Sequence, residues 1–434
     1  MMSRISEEEE SLLLVSLKRG YLRSGFWRKK FSDLNIQESD FVRGFPFDSL
    51  PFLTKGEILE DQAKSPPFGD LISVDPTRIT RIHKTSGTTT TPFFVALTER
   101  DVQDTYVPAK RAYQHAGMSE SDRVVHCLNF NMWSGGVSDY IPIELVGAAG
   151  IPYGVGNTDL LLDVIRRLGA NAISSTPSYM FAIRDRCLQI GIDPKELGLT
   201  RGYFGGEGLL QVPGVRQEIE STFGMTAIDA NYGMSEICSV ICGEGQEKDG
   251  LVYHCYGILY VEMVDENQRP VPIETGAKGE LVFSTLRREA QPLFRYRTND
   301  LAEIIWADTG DDGLRRLKLR IIGRSDDMLV IRGVNFFPQS LLTIIGEFEP
   351  SIGRNFRVVR PGSNDPGLTV VLETPLQNET EKSAVAEKFR ARVSAFLQVR
   401  VNILWVQPGA IPVSGNKLKV LIDDLDDIPT LKNA

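Results

Sequence analysis

Between residues 11 and 31, Leu12, Leu13, Leu14, Leu17 and Tyr21 alternate with Lys18, Arg19 and Arg23 at roughly helical spacing, which predicts an amphipathic helix over Ser11–Phe31. Farther along, apolar runs of strand length alternate with helical patterns: a strand at Arg123–Leu128, a helix at Leu160–Leu168, a strand at Ala172–Ser175 and a helix at Ser178–Ile190. That alternation predicts an α/β architecture with a largely parallel sheet. Downstream the character turns β-rich, at Ile258–Val264, Glu280–Ser284 and Leu317–Ile322. A polar run, Gly323-Arg324-Ser325-Asp326-Asp327, then precedes a smaller α+β pattern with strands at Leu329–Ile331, Thr369–Glu373 and Val401–Val406 and helices at Pro338–Gly346 and Glu379–Phe396. The predicted organisation is a large, multi-subdomain α/β domain over 1–322 and a small α+β domain over 323–434, with no repeat of fixed period and no low-complexity linker.

Composition narrows the classes. At 434 residues and 42% hydrophobic, the chain can bury a sizeable core. Lys plus Arg total 48 against 57 for Asp plus Glu, a net charge of −9, so the basic excess that nucleic-acid binding needs is missing. No run approaches the ~20 apolar residues that span a bilayer, and no membrane partner is expected. The acidic run Glu7–Glu10 stands where a signal peptide would be basic. Cys127, Cys187, Cys238, Cys242 and Cys255 form no paired CxxC knuckles, so reduced thiols and a cytoplasmic location are the expectation.

The densest chemical signal is Thr85-Ser86-Gly87-Thr88-Thr89-Thr90-Thr91-Pro92. Glycine lets successive N–H groups point inward and the hydroxyls add donors, a combination suited to phosphate oxygens, although a Thr-rich surface turn has the same composition. It is no Walker loop, because the chain contains no Gly-Lys pair. This loop is followed in order by Tyr203-Phe204-Gly205-Gly206-Glu207, Tyr232-Gly233-Met234-Ser235-Glu236, Gly279-Glu280-Leu281-Val282, Phe294 to Asp300, and Gly323 to Asn335. Together these segments resemble the adenylate-forming superfamily. Leu50 to Lys55 and Ser175 to Tyr179 add similarity to phenylacetate–CoA ligases and their relatives, and the resemblance runs from about residue 50 to about residue 422.

The resemblance implies an ATP-dependent carboxylate–CoA ligase that forms an acyl-adenylate and pyrophosphate and then a thioester. Ser86, Gly87, Thr88 and Thr89 would grip the phosphates. Glu236 would hold Mg²⁺, whose preferred ligands are hard oxygens. Asp300 and Arg324 would take the ribose, and Gly205, Gly206 and Glu207, with Tyr232, Gly233 and Ser235, would frame the nucleotide. Arg295 and Arg297 flank Tyr296 on a predicted strand, and at most one of them is expected to face the nucleotide. Within Val413 to Lys419, Lys417 matches the adenylation lysine, with Lys419 as rival. Asp326 matches the hinge of a mobile C-terminal domain, and Arg332, Gly333 and Asn335 would approach CoA in its second orientation.

The chain also departs from the family pattern. Thr90 and Thr91 replace the usual Gly and Lys, so a cation near the phosphates is missing and slower activation is expected. Of a structural zinc site held by some relatives, Cys242, His254 and Cys255 remain, but 306–319 lacks the closing cysteines, so zinc is not expected. Asn129 to Tyr140, with Trp133, Gly135 and Gly136, matches the lining of the acid's ring cavity, which points to a small aromatic acid. Asp139 stands there in place of a small apolar residue: inward, it would favour an amino- or hydroxyl-bearing acid; outward, it says nothing. His83 and His126 are read as satisfied core or loop histidines. A stand-alone enzyme passing the acyl group to a carrier protein or amine, and an inactive nucleotide-binding protein, are the alternatives. With 17 residues after Lys417, a carrier would act in trans. Homodimer formation is left open by the sequence.

Overall fold

A computed structural model of the chain describes residues 6–85, 93–331, 334–360, 368–397, 399–412, 420–428 and 431. The chain divides into two compact units: Met1–Gly206 with Ile219–Ile322, and Glu207–Glu218 with Gly323–Ala434.

The larger unit is organised on one eleven-stranded sheet. Half of it is parallel: Ala149–Pro152, Arg123–His126, Ala172–Ser175, Arg201–Gly205 and Thr226–Met234 lie side by side. Ala172–Ser175 is buried along its whole length, as a parallel strand covered on both faces should be. Helices such as Thr158–Leu168 and Pro177–Gln189 form the crossovers, each ending within two residues of the predicted bounds. The other half contains Cys238–Glu244, Leu251–Tyr253, Arg315–Arg324, Tyr296–Thr309, Lys278–Thr285 and Leu259–Val264 in that order, and it joins the parallel half through the antiparallel pairing of Thr226–Met234 with Cys238–Glu244. The switch from parallel to antiparallel falls beside Thr226–Met234.

One expectation is corrected at the N-terminus. The predicted single helix is two, Glu7–Arg23 and Gly25–Asp33, because Ser24 takes an extended conformation (φ −100°, ψ 124°) and its hydroxyl accepts from the N–H of Trp27 at 3.2 Å. The Ser24 N–H closes the first helix on the carbonyl of Gly20. One serine thus ends one helix and caps the next. Trp27 then packs at a tilt against Phe294, with ring centroids 4.6 Å apart, and its indole N–H donates to the carbonyl of Pro292 at 2.7 Å.

The smaller unit has a four-stranded sheet in the order Val401–Val406, Leu368–Glu373, Phe356–Val359, Leu421–Ile422. The helix Glu379–Leu397 buries only Ala386, Phe389 and Val393, a narrow stripe at helical spacing. Phe389 meets Phe348 edge-on at 5.4 Å.

Candidate active site

The strand Thr226–Met234 ends at the sheet switch, and Met234 pairs with Cys238 of the next strand. Tyr232, Gly233 and Met234 therefore end the strand, at an irregularity in its pairing, and Ser235 and Glu236 sit on the tight connection. A Cβ on Gly233 would stand 2.0 Å from the carbonyl oxygen of Ser239, so only glycine fits. Glu236 is buried, and its carboxylate lies 3.0 Å from the ammonium of Lys55. Below it, Arg288 donates to the carbonyls of Glu236 (3.4 Å) and Ile237.

Lys55 was not foreseen as a partner of Glu236. It opens the helix Lys55–Lys64, which Thr54 caps through a reciprocal box with Glu57. Leu53, just before the cap, exchanges backbone hydrogen bonds with Arg295 and Arg297 at 3.0 Å each. The Leu50 to Lys55 motif is thereby tied to the strand that carries Asp300.

Asp300 lies within the strand Tyr296–Thr309 at an irregularity in the pairing with Lys278–Thr285. Asn299 there has φ 61°, and the Thr298 hydroxyl donates to the carbonyl of Leu281 at 2.7 Å. Such a bulge re-aims the next side chain. Asp300 receives the hydroxyl of Tyr232 at 2.7 Å. Both neighbouring arginines are committed elsewhere: Arg295 pairs with Glu262 at 3.0 Å, and Arg297 grips Glu280 through two nitrogens at 3.0 and 2.6 Å. Arg295 itself stands just before the strand, with φ 50°.

On the other side of Tyr232 stands the helix Ser134–Val146, preceded by Trp133. The Ser134 hydroxyl lies 2.8 Å from that of Ser235. Gly135 and Gly136 are buried, and a Cβ on Gly136 would meet the Asn129 carbonyl oxygen at 2.5 Å. A Cβ on Gly206 would touch the Trp133 ring at 3.3 Å, and Gly205 lies against Asn231. Asp139 is fully buried, where its helix packs on the strands Thr226–Met234 and Cys238–Glu244. Its carboxylate accepts from the hydroxyl of Ser239 and the amide nitrogen of Asn231. Burial pushes it up to about 7 against the pull of those two hydrogen bonds.

His126 is held by the Ser174 hydroxyl at 3.0 Å on Nδ1 and by the Gly136 carbonyl at 3.0 Å on Nε2, an arrangement that assigns the proton to Nε2. Burial lowers both His126 and His83 to about 4, so both are neutral near pH 7, as core histidines are.

In the smaller unit Arg324 and Asp326 face one another, with two nitrogen–oxygen contacts of 2.8 Å. Glu207 begins the segment that groups with this unit. Asn335 pairs with Val330 across the hairpin Leu329–Ile331, Val334–Phe336. Ser86, Gly87, Thr88, Thr89, Thr90, Thr91, Arg332, Gly333, Lys417 and Lys419 lie outside the described residues. Among the described residues no group of three or more His, Cys, Asp or Glu is placed to hold a metal ion. Cys238 and Cys255 instead both donate to the Val240 carbonyl at 3.4 Å. No described helix is long and apolar enough to cross a membrane.

Comparison with known proteins agrees with this layout. A family model described as AMP-binding enzyme matches residues 38–286, and one described as AMP-binding enzyme C-terminal domain matches 333–424. The chain is 30% identical to a phenylacetate-coenzyme A ligase of Aromatoleum evansii, over 94% of this chain and 92% of that one. It is 32% identical to a phenylacetate-coenzyme A ligase of Escherichia coli (strain K12), over 93% and 91% respectively. A crystal structure of 2-hydroxyisobutyryl-CoA ligase in the postadenylation state with 2-HIB-AMP is similar at a TM-score of 0.83 and 26% identity, covering 98% of this chain and 90% of that one.

Proposed function

Because this chain belongs to the AMP-binding enzyme family, we propose that it is an ATP-dependent acid–thiol ligase acting on a small aromatic carboxylic acid. The acid's carboxylate attacks the α-phosphorus of ATP, pyrophosphate leaves, and the thiol of coenzyme A then displaces AMP from the acyl-adenylate. The observations that carry this reading are the bond from Tyr232 to Asp300 and the contact of Lys55 with Glu236, which join three motifs far apart in the chain, Leu50 to Lys55, Tyr232 to Glu236 and Phe294 to Asp300.

Each described residue has a task there. The Asp300 carboxylate offers two acceptor oxygens, which suits a pair of ribose hydroxyls, and the Tyr232 hydroxyl keeps it aimed. The bare backbone of Gly205 and Gly206 lets a planar base lie close. Glu236 already draws a cation, the Lys55 ammonium at 3.0 Å, and its oxygens fit Mg²⁺ as well. Bound there, Mg²⁺ would neutralise phosphate charge as pyrophosphate departs. In the same reading Ser86, Gly87, Thr88 and Thr89 donate to the phosphates, Lys417 steadies the charge growing between carboxylate and α-phosphate, and Arg324 exchanges Asp326 for the ribose as the chain hinges at Asp326.

The named acids of the relatives differ, phenylacetate in one group and 2-hydroxyisobutyrate in the other, so likeness supports acid–CoA ligation more firmly than the choice of acid. Product analysis tests the proposal: ATP, acid and CoA together should give AMP, pyrophosphate and an acyl-CoA thioester in equal amounts. Pyrophosphate without thioester would move the acceptor to a carrier protein or an amine, and formation of ADP would refute the reading.

A further inference from the structure

The acid-side helix Ser134–Val146 and the strand carrying Tyr232 are joined by a polar group that the reaction as described does not use. Asp139 is fully buried, and no cationic side chain pairs with it among the described residues. An apolar helix face would have been cheaper to build than an unpaired carboxylate. Its two oxygens are met by one hydroxyl, from Ser239, and one amide nitrogen, from Asn231.

The second contact fixes more than the aspartate. When ionised, Asp139 can only accept, so it receives the amide nitrogen of Asn231, and the amide oxygen is turned away from it. Asn231 is half-buried rather than enclosed, and its oxygen receives no hydrogen bond among the described residues. The residue immediately precedes Tyr232, pairs with Gly205 across the sheet and packs against it, with 2.6 Å from Asn231 Cβ to where a Gly205 Cβ would be. It thus lies between the glycines assigned to the nucleotide and the helix assigned to the acid.

We propose that the acid activated here carries a hydrogen-bond donor, a hydroxyl or amino group, which the side-chain oxygen of Asn231 accepts, with Asp139 as the positioning residue that holds the amide in that orientation. This rests on the ligase reading above. A site with an oriented acceptor penalises an analogue that brings only a methylene or a methyl ether to it, because the acceptor loses water and gains nothing.

The test is pyrophosphate release, with ATP, on matched acids: phenylacetate against its hydroxy and methoxy derivatives, benzoate against its amino derivatives, and isobutyrate against 2-hydroxyisobutyrate. In at least one set the donor-bearing acid should win by about 10-fold or more in kcat/KM, mostly through KM, and its methoxy or unsubstituted partner should lose that advantage. Asn231→Leu should reverse the order. Asp139→Asn, which offers both a donor and an acceptor and so no longer locks the amide, should bring the KM ratio toward one. Release that favours unsubstituted or methoxy acids throughout would overturn this inference and leave the ligase reading standing. Silence with every acid would overturn the ligase reading and this inference with it. The comparison on the unaltered enzyme decides the matter even where a variant fails to fold.

Discussion

Two acid-centred pairs in this molecule differ in how they are held. Asp300 is buried, lies on a bulged strand, and receives the hydroxyl of Tyr232, 68 residues away in sequence. Asp326 grips Arg324, two residues away, with both side chains more than 40% exposed. The first pair needs two strands, a bulge and a glycine turn before it can exist. The second forms from the local chain, and an exposed ion pair of this kind contributes only about 0–1 kcal/mol. The contrast suits their proposed tasks: a ribose anchor has to be preorganised, whereas a guanidinium that changes partners during a cycle has to leave its first partner cheaply.

The largest expected effect lies at the turn that builds the buried pair. Gly233→Ala forces a Cβ into the Ser239 carbonyl, and either soluble protein is lost or pyrophosphate release falls by about 100-fold or more. Near-normal release from a folded variant would show that the turn tolerates displacement. Next, Asp300→Ala should raise the KM for ATP by about 10- to 100-fold and Tyr232→Phe by about 10-fold, as expected for losing hydrogen bonds to or from a charged group. Equal and small effects from both would place the ribose elsewhere.

A third prediction concerns pH. The Asp139 carboxyl, raised to about 7 by burial, still holds its proton in the folded chain between roughly pH 4 and 7, where the unfolded chain has released its own. The unfolded state then binds fewer protons, so this group's contribution to stability is fully present below about pH 4 and declines as pH rises to about 7, by at most about 1.4 kcal/mol per pH unit. Thermal melts of the wild type and Asp139→Asn at pH 5 and pH 8 should show a shallower decline for the variant. Parallel profiles would mean that Asp139 is ionised throughout.

The smallest change in stability is expected at the exposed pair. Asp326→Ala should shift the free energy of unfolding by less than about 1 kcal/mol in denaturant titrations. It should nevertheless alter the ratio of adenylation to thioester formation, and an unchanged ratio would remove Asp326 from the cycle.

Much of this architecture was legible in sequence because it is written locally. The helices Thr158–Leu168 and Glu379–Leu397 and the strands Ala172–Ser175 and Val401–Val406 follow from apolar spacing. Tyr232, Glu236 and Asp300 stand in motifs whose order alone is informative. What was hidden depends on long-range closure. The Lys55–Glu236 contact joins residues 181 apart in sequence, and Asn231 and Ser239 acquire meaning only once Asp139 reaches them from another helix. Arg295 escaped the strand pattern through a backbone effect, its positive φ just before the strand. Ser24 misled for a similar reason, since a single extended residue inside an otherwise helical pattern leaves the apolar periodicity on either side intact.

The account turns on an acyl-adenylate formed before any thiol is involved. Acid-dependent exchange of labelled pyrophosphate into ATP, measured without CoA, tests that most directly. The account predicts exchange that requires both the acid and Mg²⁺ and falls sharply in Lys417→Ala. An acid that yields thioester in the presence of CoA but supports no exchange without it would contradict a free-standing adenylation step.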